Sequence, residues 1–171
     1  MGTTTGRLMA RGLLAVTGLA AVVCAIGGCS SSSAGAGGQA AAARQTVTIR
    51  VRSLPGVGTV LVNSSGYTLY MFVPDAQRRV TCTKLCAAVW PPVKISPGAR
   101  IVAGPGVRAG LLGSDRDPAG GRVVTYHRWP LYTYRSDTQP GWDNGQDIDL
   151  NGGYWYVMRP SGEPLTGRAA G

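Results

Sequence analysis

Residues 62–77, VNSSGYTLYMFVPDAQ, lie over residues 124–139, VTYHRWPLYTYRSDTQ, at a spacing of 62. Leu69 meets Leu131, Tyr70 meets Tyr132, Asp75 meets Asp137 and Gln77 meets Gln139, while aromatic residues coincide at 67/129 and 72/134. Self-similarity at a fixed spacing marks a duplicated unit, here a hairpin used twice within one core. Within each unit the large side chains alternate, and successive side chains of a strand face opposite ways. Tyr70 and Phe72 therefore share one face, as do Tyr132 and Tyr134, while Leu69 and Met71 take the other. All twelve aromatic residues fall between 67 and 156. Each large ring buries about 150–250 Å², so the rings are expected to dominate the core.

Outward from the repeat, the chain reads as short strands. Residues 46–52 (TVTIRVR) put Val47, Ile49 and Val51 on one side and Thr48, Arg50 and Arg52 on the other, the pattern of a half-buried strand. Leu54-Pro55-Gly56 breaks it. A second strand at 59–62, a turn at 63–66 and a third strand at 67–73, halted by Pro74, read as a hairpin. Residues 84–89 can form one or two helical turns ended by Trp90-Pro91-Pro92, and 107–112 another short helix. Further strands are expected at 123–126, 131–134 and 154–158, the last entered through a tight Asn151-Gly152-Gly153 turn. No segment sustains a helical period. The predicted fold is all-β, mainly antiparallel, in two related halves with short helical inserts.

The N-terminus is of another kind. Arg7 and Arg11 precede an uncharged run, residues 12–28 (GLLAVTGLAAVVCAIGG), that ends in Ile26-Gly27-Gly28-Cys29. A charged start, an apolar stretch and small residues before a cleavage point define a secretory signal. The ending resembles a lipobox, in which small side chains let a peptidase grip extended backbone and the Cys thiol takes the diacylglyceryl group. The rival is a membrane-spanning anchor, for which seventeen residues, four of them Gly, are short. Cys24 is a poorer acceptor because Val23 would sit beside the scissile bond. Residues 1–28 are thus read as a lipoprotein signal peptide. Residues 29–45 are read as lipidated Cys29 followed by a flexible Ser/Gly/Ala tether, too poor in apolar side chains to fold. The folded domain is placed at 46–166 and a tail at 167–171. The expected location is the extracytoplasmic face of the cell membrane, held by the lipid anchor.

Removing residues 1–28 takes away Arg7 and Arg11 and leaves 15 Lys and Arg against 8 Asp and Glu, a net +7. Export argues against nucleic acid as the partner of that charge. Membrane headgroups, acidic wall polymers or simple solubility fit better, and the basic residues are mostly scattered, as on a solvated face. An envelope protein or cell-wall component is a candidate partner of the domain. Cys82 and Cys86 remain in the folded part, and outside the cytoplasm a disulfide within CTKLC is the default.

Tyr70-x-Phe72-x-x-Asp75 and Tyr132-x-Tyr134-x-x-Asp137 resemble the Y-x-[FWY]-x-x-D motif of the bacterial "secreted repeat of unknown function" lipoproteins. Cys82-x3-Cys86 followed by Ala87-Ala88-Val89-Trp90-Pro91-Pro92, then Leu111-Leu112-Gly113, supports the likeness. So does the run from Asp137 through Asn144-Gly145-Gln146 to Trp155-Tyr156-Val157. The resemblance covers roughly residues 60–162. It implies a compact β domain of two related halves and no assigned chemistry.

The remaining constellations are sparse. Asp147-Ile148-Asp149-Leu150-Asn151-Gly152 matches the opening of a calcium-binding loop, but its twelfth position is Met158, where a bidentate Glu is needed. Asp143, Asp147, Asp149 and Asn151 are therefore a weak Ca²⁺ candidate beside the plainer reading of turn residues bonding their own backbone. No cofactor is otherwise expected. His127 is the only histidine, and no G-x-S-x-G elbow accompanies it. Asp75 and Asp137 are expected at equivalent turns, capping backbone amides. The function expected first is a non-enzymatic binding or interaction module. The alternatives are a thiol–disulfide or electron-transfer protein using Cys82 and Cys86, and an envelope protein binding metal, haem or a small ligand.

Overall fold

The computed structural model describes residues 45–76 and 79–167. The signal peptide, Cys29, the tether before Gln45, the repeat residue Gln77 and the tail after Gly167 lie outside the described residues.

The alternating segment at the start of the domain is the longest strand, β1 (Thr46–Leu54). It turns at Pro55-Gly56-Val57 into β2 (Gly58–Asn63), which pairs with it antiparallel from Ile49↔Asn63 to Leu54↔Gly58. On its other edge β1 takes β5 (Arg100–Ala103) in parallel. A second sheet has the order β3-β10-β9, all antiparallel, from β3 (Tyr70–Phe72), β9 (Ile148–Asp149) and β10 (Tyr154–Val157). In the third, β7 (Arg122–Tyr126) pairs with β4 (Lys94–Ile95), β6 (Leu112–Arg116) and β8 (Trp129–Pro130). The only α-helix among the described residues is α1 (Leu85–Val89), and one 3₁₀ turn lies at Ala109–Leu111. An all-β fold with short helical inserts is what the sequence predicted.

Two expected strands are shorter than their patterns suggested. Of residues 67–73 only Tyr70–Phe72 form a ladder, because Pro74, which has no N–H to donate, starts a 3₁₀ turn over Val73–Asp75. Residues 131–134 are not a strand. Tyr132 makes isolated bridges to Tyr70 and to Pro92, and the neighbouring ladder ends at Pro130. The tight turn before β10 is present, with Leu150 N–H donating to Gly153 O at 3.1 Å.

Two triangles of backbone hydrogen bonds lock the sheets together. Leu69 N–H donates to Leu61 O, Leu61 N–H to Met158 O, and Met158 N–H back to Leu69 O, at 2.8–3.0 Å. The second half repeats the cycle: Leu131 N–H to Val124 O, Val124 N–H to Val93 O, and Val93 N–H to Leu131 O, at 2.8–3.0 Å. Each half thus borrows a corner: Met158 follows the second repeat in sequence but completes the first triangle. Val93 follows the first repeat and completes the second.

The face alternation read from the repeat divides the core in two. Tyr70, Phe72 and Tyr132 are buried with Trp90, Trp155, Val60, Val62 and Val157, and Tyr134 packs against them. Leu69, Met71 and Leu131 are buried with Ile49, Leu61, Val124, Tyr126 and Met158, and Val47 and Val51 pack there.

Candidate functional site

The centre of the aromatic cluster is a contact between repeat-equivalent residues. Tyr70 and Tyr132 face each other antiparallel and exchange both backbone hydrogen bonds, at 2.9 and 3.0 Å. A local two-fold therefore passes between them. It relates their side chains too: Tyr70 Oη donates to Asp137 Oδ2 at 2.6 Å, and Tyr132 Oη donates to Asp75 Oδ2 at 2.5 Å. Each tyrosine uses the aspartate of the other repeat.

The second oxygen of each carboxylate is also held. Asp75 Oδ1 accepts Thr81 N–H and Thr81 Oγ1–H, both at 2.7 Å, and Asp137 Oδ1 accepts Asn144 N–H at 2.9 Å. The expectation that both aspartates cap backbone amides at equivalent turns is met. The pairing with the opposite tyrosine was not foreseen. Burial pushes both carboxyls above the ordinary carboxylate range, and their hydrogen bonds pull only partly back. Burial first, then the facing carboxylate, raises both tyrosines well above the usual phenol.

Four rings stack through the same two-fold. Phe72 lies on Trp155 with centroids 4.1 Å apart, Trp155 on Trp90 at 3.9 Å and 2° between planes, and Trp90 on Tyr134 at 3.9 Å. Tyr70 meets Trp90 edge-on at 5.5 Å and Tyr132 meets Trp155 edge-on at 5.1 Å. Trp90 and Trp155 are thus equivalent residues of the two repeats, related by 65 positions rather than 62. Trp155 Nε1–H donates to Leu150 O at 2.9 Å, while buried Trp90 Nε1–H finds no acceptor among the described residues.

Residues 55–94 and 114–159 match the family described as "Secreted repeat of unknown function", and together these stretches cover half of the chain. The chain belongs to the secreted-repeat family. No curated protein and no solved structure matches it. The motif shared by the two secreted repeats is therefore the set of groups that meet across the two-fold: two tyrosines, two aspartates and the paired rings.

The secreted repeats differ in how the loop after the aspartate is fastened. In the first, Cys82 and Cys86 form a disulfide, Cα to Cα 5.2 Å, directly after Thr81. In the second, the Gln146 side chain does this, accepting Val157 N–H at 2.8 Å and donating to Leu165 O at 2.6 Å. Gly145 N–H also donates to Tyr70 Oη at 3.3 Å.

Among the described residues no three His, Cys, Asp or Glu side chains converge as a metal site. Asp143, Asp147, Asp149 and Asn151 are not gathered into a calcium loop. Asp147 and Asn151 adopt positive φ at the two ends of the β9 approach and turn, Asp147 N–H donates to Trp155 O, and Asp149 stands opposite Tyr154 in the ladder. His127 occupies, with Arg128, a two-residue turn of positive φ between β7 and β8, and its Nδ1 lies 3.0 Å from Gly162 O. Cys29 lies outside the described residues.

Proposed function

We propose that the chain is a lipoprotein, acylated at Cys29 and held at the extracytoplasmic face of the cell membrane. Its secreted-repeat domain acts without a cofactor, as a non-enzymatic module that binds an anionic component of the envelope. The family supports a location outside the cytoplasm, and Ile26-Gly27-Gly28-Cys29 supports the anchor.

The observation that carries the binding role is where the charges lie. Every described lysine and arginine is exposed, whereas Asp75, Asp117 and Asp137 are buried. Asp75 and Asp137 are taken up by Tyr132 and Tyr70, and Asp117 by Lys94 Nζ at 2.8 Å. The outward field is consequently more positive than composition alone indicates, and such a field concentrates anionic partners. Apart from half-buried Tyr134, the motif side chains point into the core, which leaves this basic surface as the part that meets the envelope.

Two measurements test the reading. Cys29→Ala is expected to lose the diacylglyceryl mass and to leave the membrane fraction. A variant that stays just as membrane-bound with its N-terminus intact by mass counts against the lipid anchor. The full chain is expected to be retained on an acidic wall polymer or on anionic vesicles, whichever carries the ligand group, with retention falling as salt rises. Arg50→Glu/Arg52→Glu is expected to weaken it. Retention indifferent to salt and to charge reversal removes the anionic partner.

A further inference from the structure

We propose that the ring column Phe72–Trp155–Trp90–Tyr134, with its two tyrosine–aspartate pairs, is a one-electron relay that moves an oxidising equivalent through the domain and parks it on Tyr70 or Tyr132. The proposal is independent of the binding role above. It rests on what the core groups can do together when an electron is removed.

Face-to-face indoles share a positive charge between them, so a stacked Trp90–Trp155 pair loses an electron more readily than a lone ring. Phe72 closes one end of the column, because a plain benzene ring is the hardest of the four to oxidise. Tyr134 is the half-buried end and lines a surface cleft with Tyr67, Pro91 and Arg135. Charge therefore enters and leaves at Tyr134. Trp90 Nε1–H faces no acceptor among the described residues, so an oxidised Trp90 has no neighbouring base to take its proton. It stays a cation, and a cation in an apolar core is driven to move on.

The edge-on tyrosines supply the resting place. An outer-sphere one-electron oxidant takes one electron from the tryptophan pair and is itself reduced. Tyr70 then gives an electron to the tryptophan cation while its phenolic proton crosses 2.6 Å to Asp137 Oδ2. The indoles are restored, and the products are a neutral tyrosyl radical and a neutral carboxylic acid. At the reacting pair neither a buried cation nor a buried carboxylate remains. Tyr132 and Asp75 perform the same step on the other side of the two-fold. An outer-sphere one-electron reductant refills the tyrosine as the proton returns from the aspartate. Burial, by raising the affinity of both carboxylates for a proton, makes them better acceptors.

The test is flash-quench oxidation of the purified full chain with photogenerated tris(bipyridine)ruthenium(III), read by freeze-quench electron paramagnetic resonance. A tyrosyl signal is expected, narrowed when the protein carries ring-deuterated tyrosine and formed more slowly in heavy water. It is expected to survive Trp142→Phe/Tyr154→Phe, which removes exposed rings outside the column. Tyr70→Phe/Tyr132→Phe should lower its yield severalfold and leave the signal on tryptophan. Loss of the signal in the Trp142→Phe/Tyr154→Phe protein, with none in Tyr70→Phe/Tyr132→Phe, overturns the relay. If the phenylalanine variants do not fold, the unmutated protein still decides. A tryptophan-only signal, no signal, or a tyrosyl rate unchanged in heavy water overturns it.

Discussion

Tyr132 Oη donates to Asp75 Oδ2 at 2.5 Å, which ties the second repeat to the carboxylate of the first inside a closed aromatic core. A buried carboxylate that loses such a donor keeps its desolvation cost and loses the compensation. Hydrogen bonds to charged groups are worth about 1.5–3 kcal/mol, so Tyr132→Phe is expected to lower unfolding free energy by about 2 kcal/mol in urea denaturation. The mirror substitution Tyr70→Phe should cost at least as much, because Asp137 then keeps one amide donor where Asp75 keeps two groups, and Gly145 N–H loses Tyr70 Oη as its acceptor. Adding Asp75→Leu to Tyr132→Phe should recover part of the loss, since no buried carboxylate then remains unpaired. Equal losses in single and double variants would contradict the pairing.

The same burial makes stability depend on pH in an uncommon direction. The folded Asp75 and Asp137 bind protons more tightly than their unfolded counterparts, whose pKa is about 3.9. More protons are bound folded than unfolded, so the contribution of these groups is full at low pH. It falls as pH rises from the unfolded carboxylate value through the raised folded one. Urea midpoints measured across the acid range should decline over that window, and Asp75→Asn/Asp137→Asn should flatten the decline. A rise with pH that the double variant leaves intact would refute it.

At the alkaline end the tyrosines take over. Tyr70 and Tyr132 are raised by burial and by the facing carboxylates, so the folded chain holds two phenolic protons that the unfolded chain releases above about pH 10. Stability contributed by these protons is present below that pH and is lost above it. Absorbance titration of phenolate should show both rings silent until the domain unfolds, then titrating together with loss of the far-ultraviolet signal. Smooth ionisation of all seven tyrosines in folded protein would exclude the buried pairs.

Close approach of backbone to the column gives a steric prediction. A Cβ on Gly145 would lie 2.7 Å from Trp90 Cη2 and 2.8 Å from Tyr70 Cε1, Trp90 being fixed by stacking and Tyr70 by its edge-on contact and its bond to Asp137. Overpacking of a filled core costs about 1–3 kcal/mol, so Gly145→Ala should destabilise by that amount and shift tryptophan fluorescence. At Gly152 (φ +93°) nothing lies within 4 Å, so Gly152→Ala should cost only backbone strain and leave the fluorescence unchanged. Identical fluorescence changes in the two variants would argue against the packing at Trp90.

Much of this core could be read from residues 62–77 and 124–139. Their alternation placed Tyr70, Phe72, Tyr132 and Tyr134 in one cluster and Leu69, Met71 and Leu131 in the other, because pleating fixes that choice locally. The equivalence of Trp90 and Trp155 was hidden, since the loop after the second aspartate is three residues longer and an ungapped comparison loses register beyond Gln139. The exchange of Tyr and Asp partners between repeats was hidden for a different reason. Either tyrosine could have bonded its own aspartate, and only the two-fold crossing of Tyr70 over Tyr132 decides it. The acidic run 147–151 reads two ways in sequence because Asp and Asn serve both as ion ligands and at turns of positive φ, the conformation that Asp147 and Asn151 adopt.

The Cys82–Cys86 bond closes a short loop, and chain-entropy arguments give such a closure about 2 kcal/mol. Its position makes the effect uneven. Thr81, whose amide and hydroxyl hold Asp75 Oδ1, immediately precedes the disulfide, whereas Asp137 is held from Asn144 in a loop stitched by Gln146. Cys82→Ala/Cys86→Ala is therefore expected to fold with stability reduced by about 2 kcal/mol. In that variant the environment of Tyr132 should loosen while that of Tyr70 stays as it was. Alkaline titration of the variant should show one more tyrosine ionising before unfolding than the unmutated protein does, and Tyr132→Phe in the same background should abolish that extra step. Early ionisation that persists without Tyr132 would mean that the staple does not govern the Asp75 side of the pair.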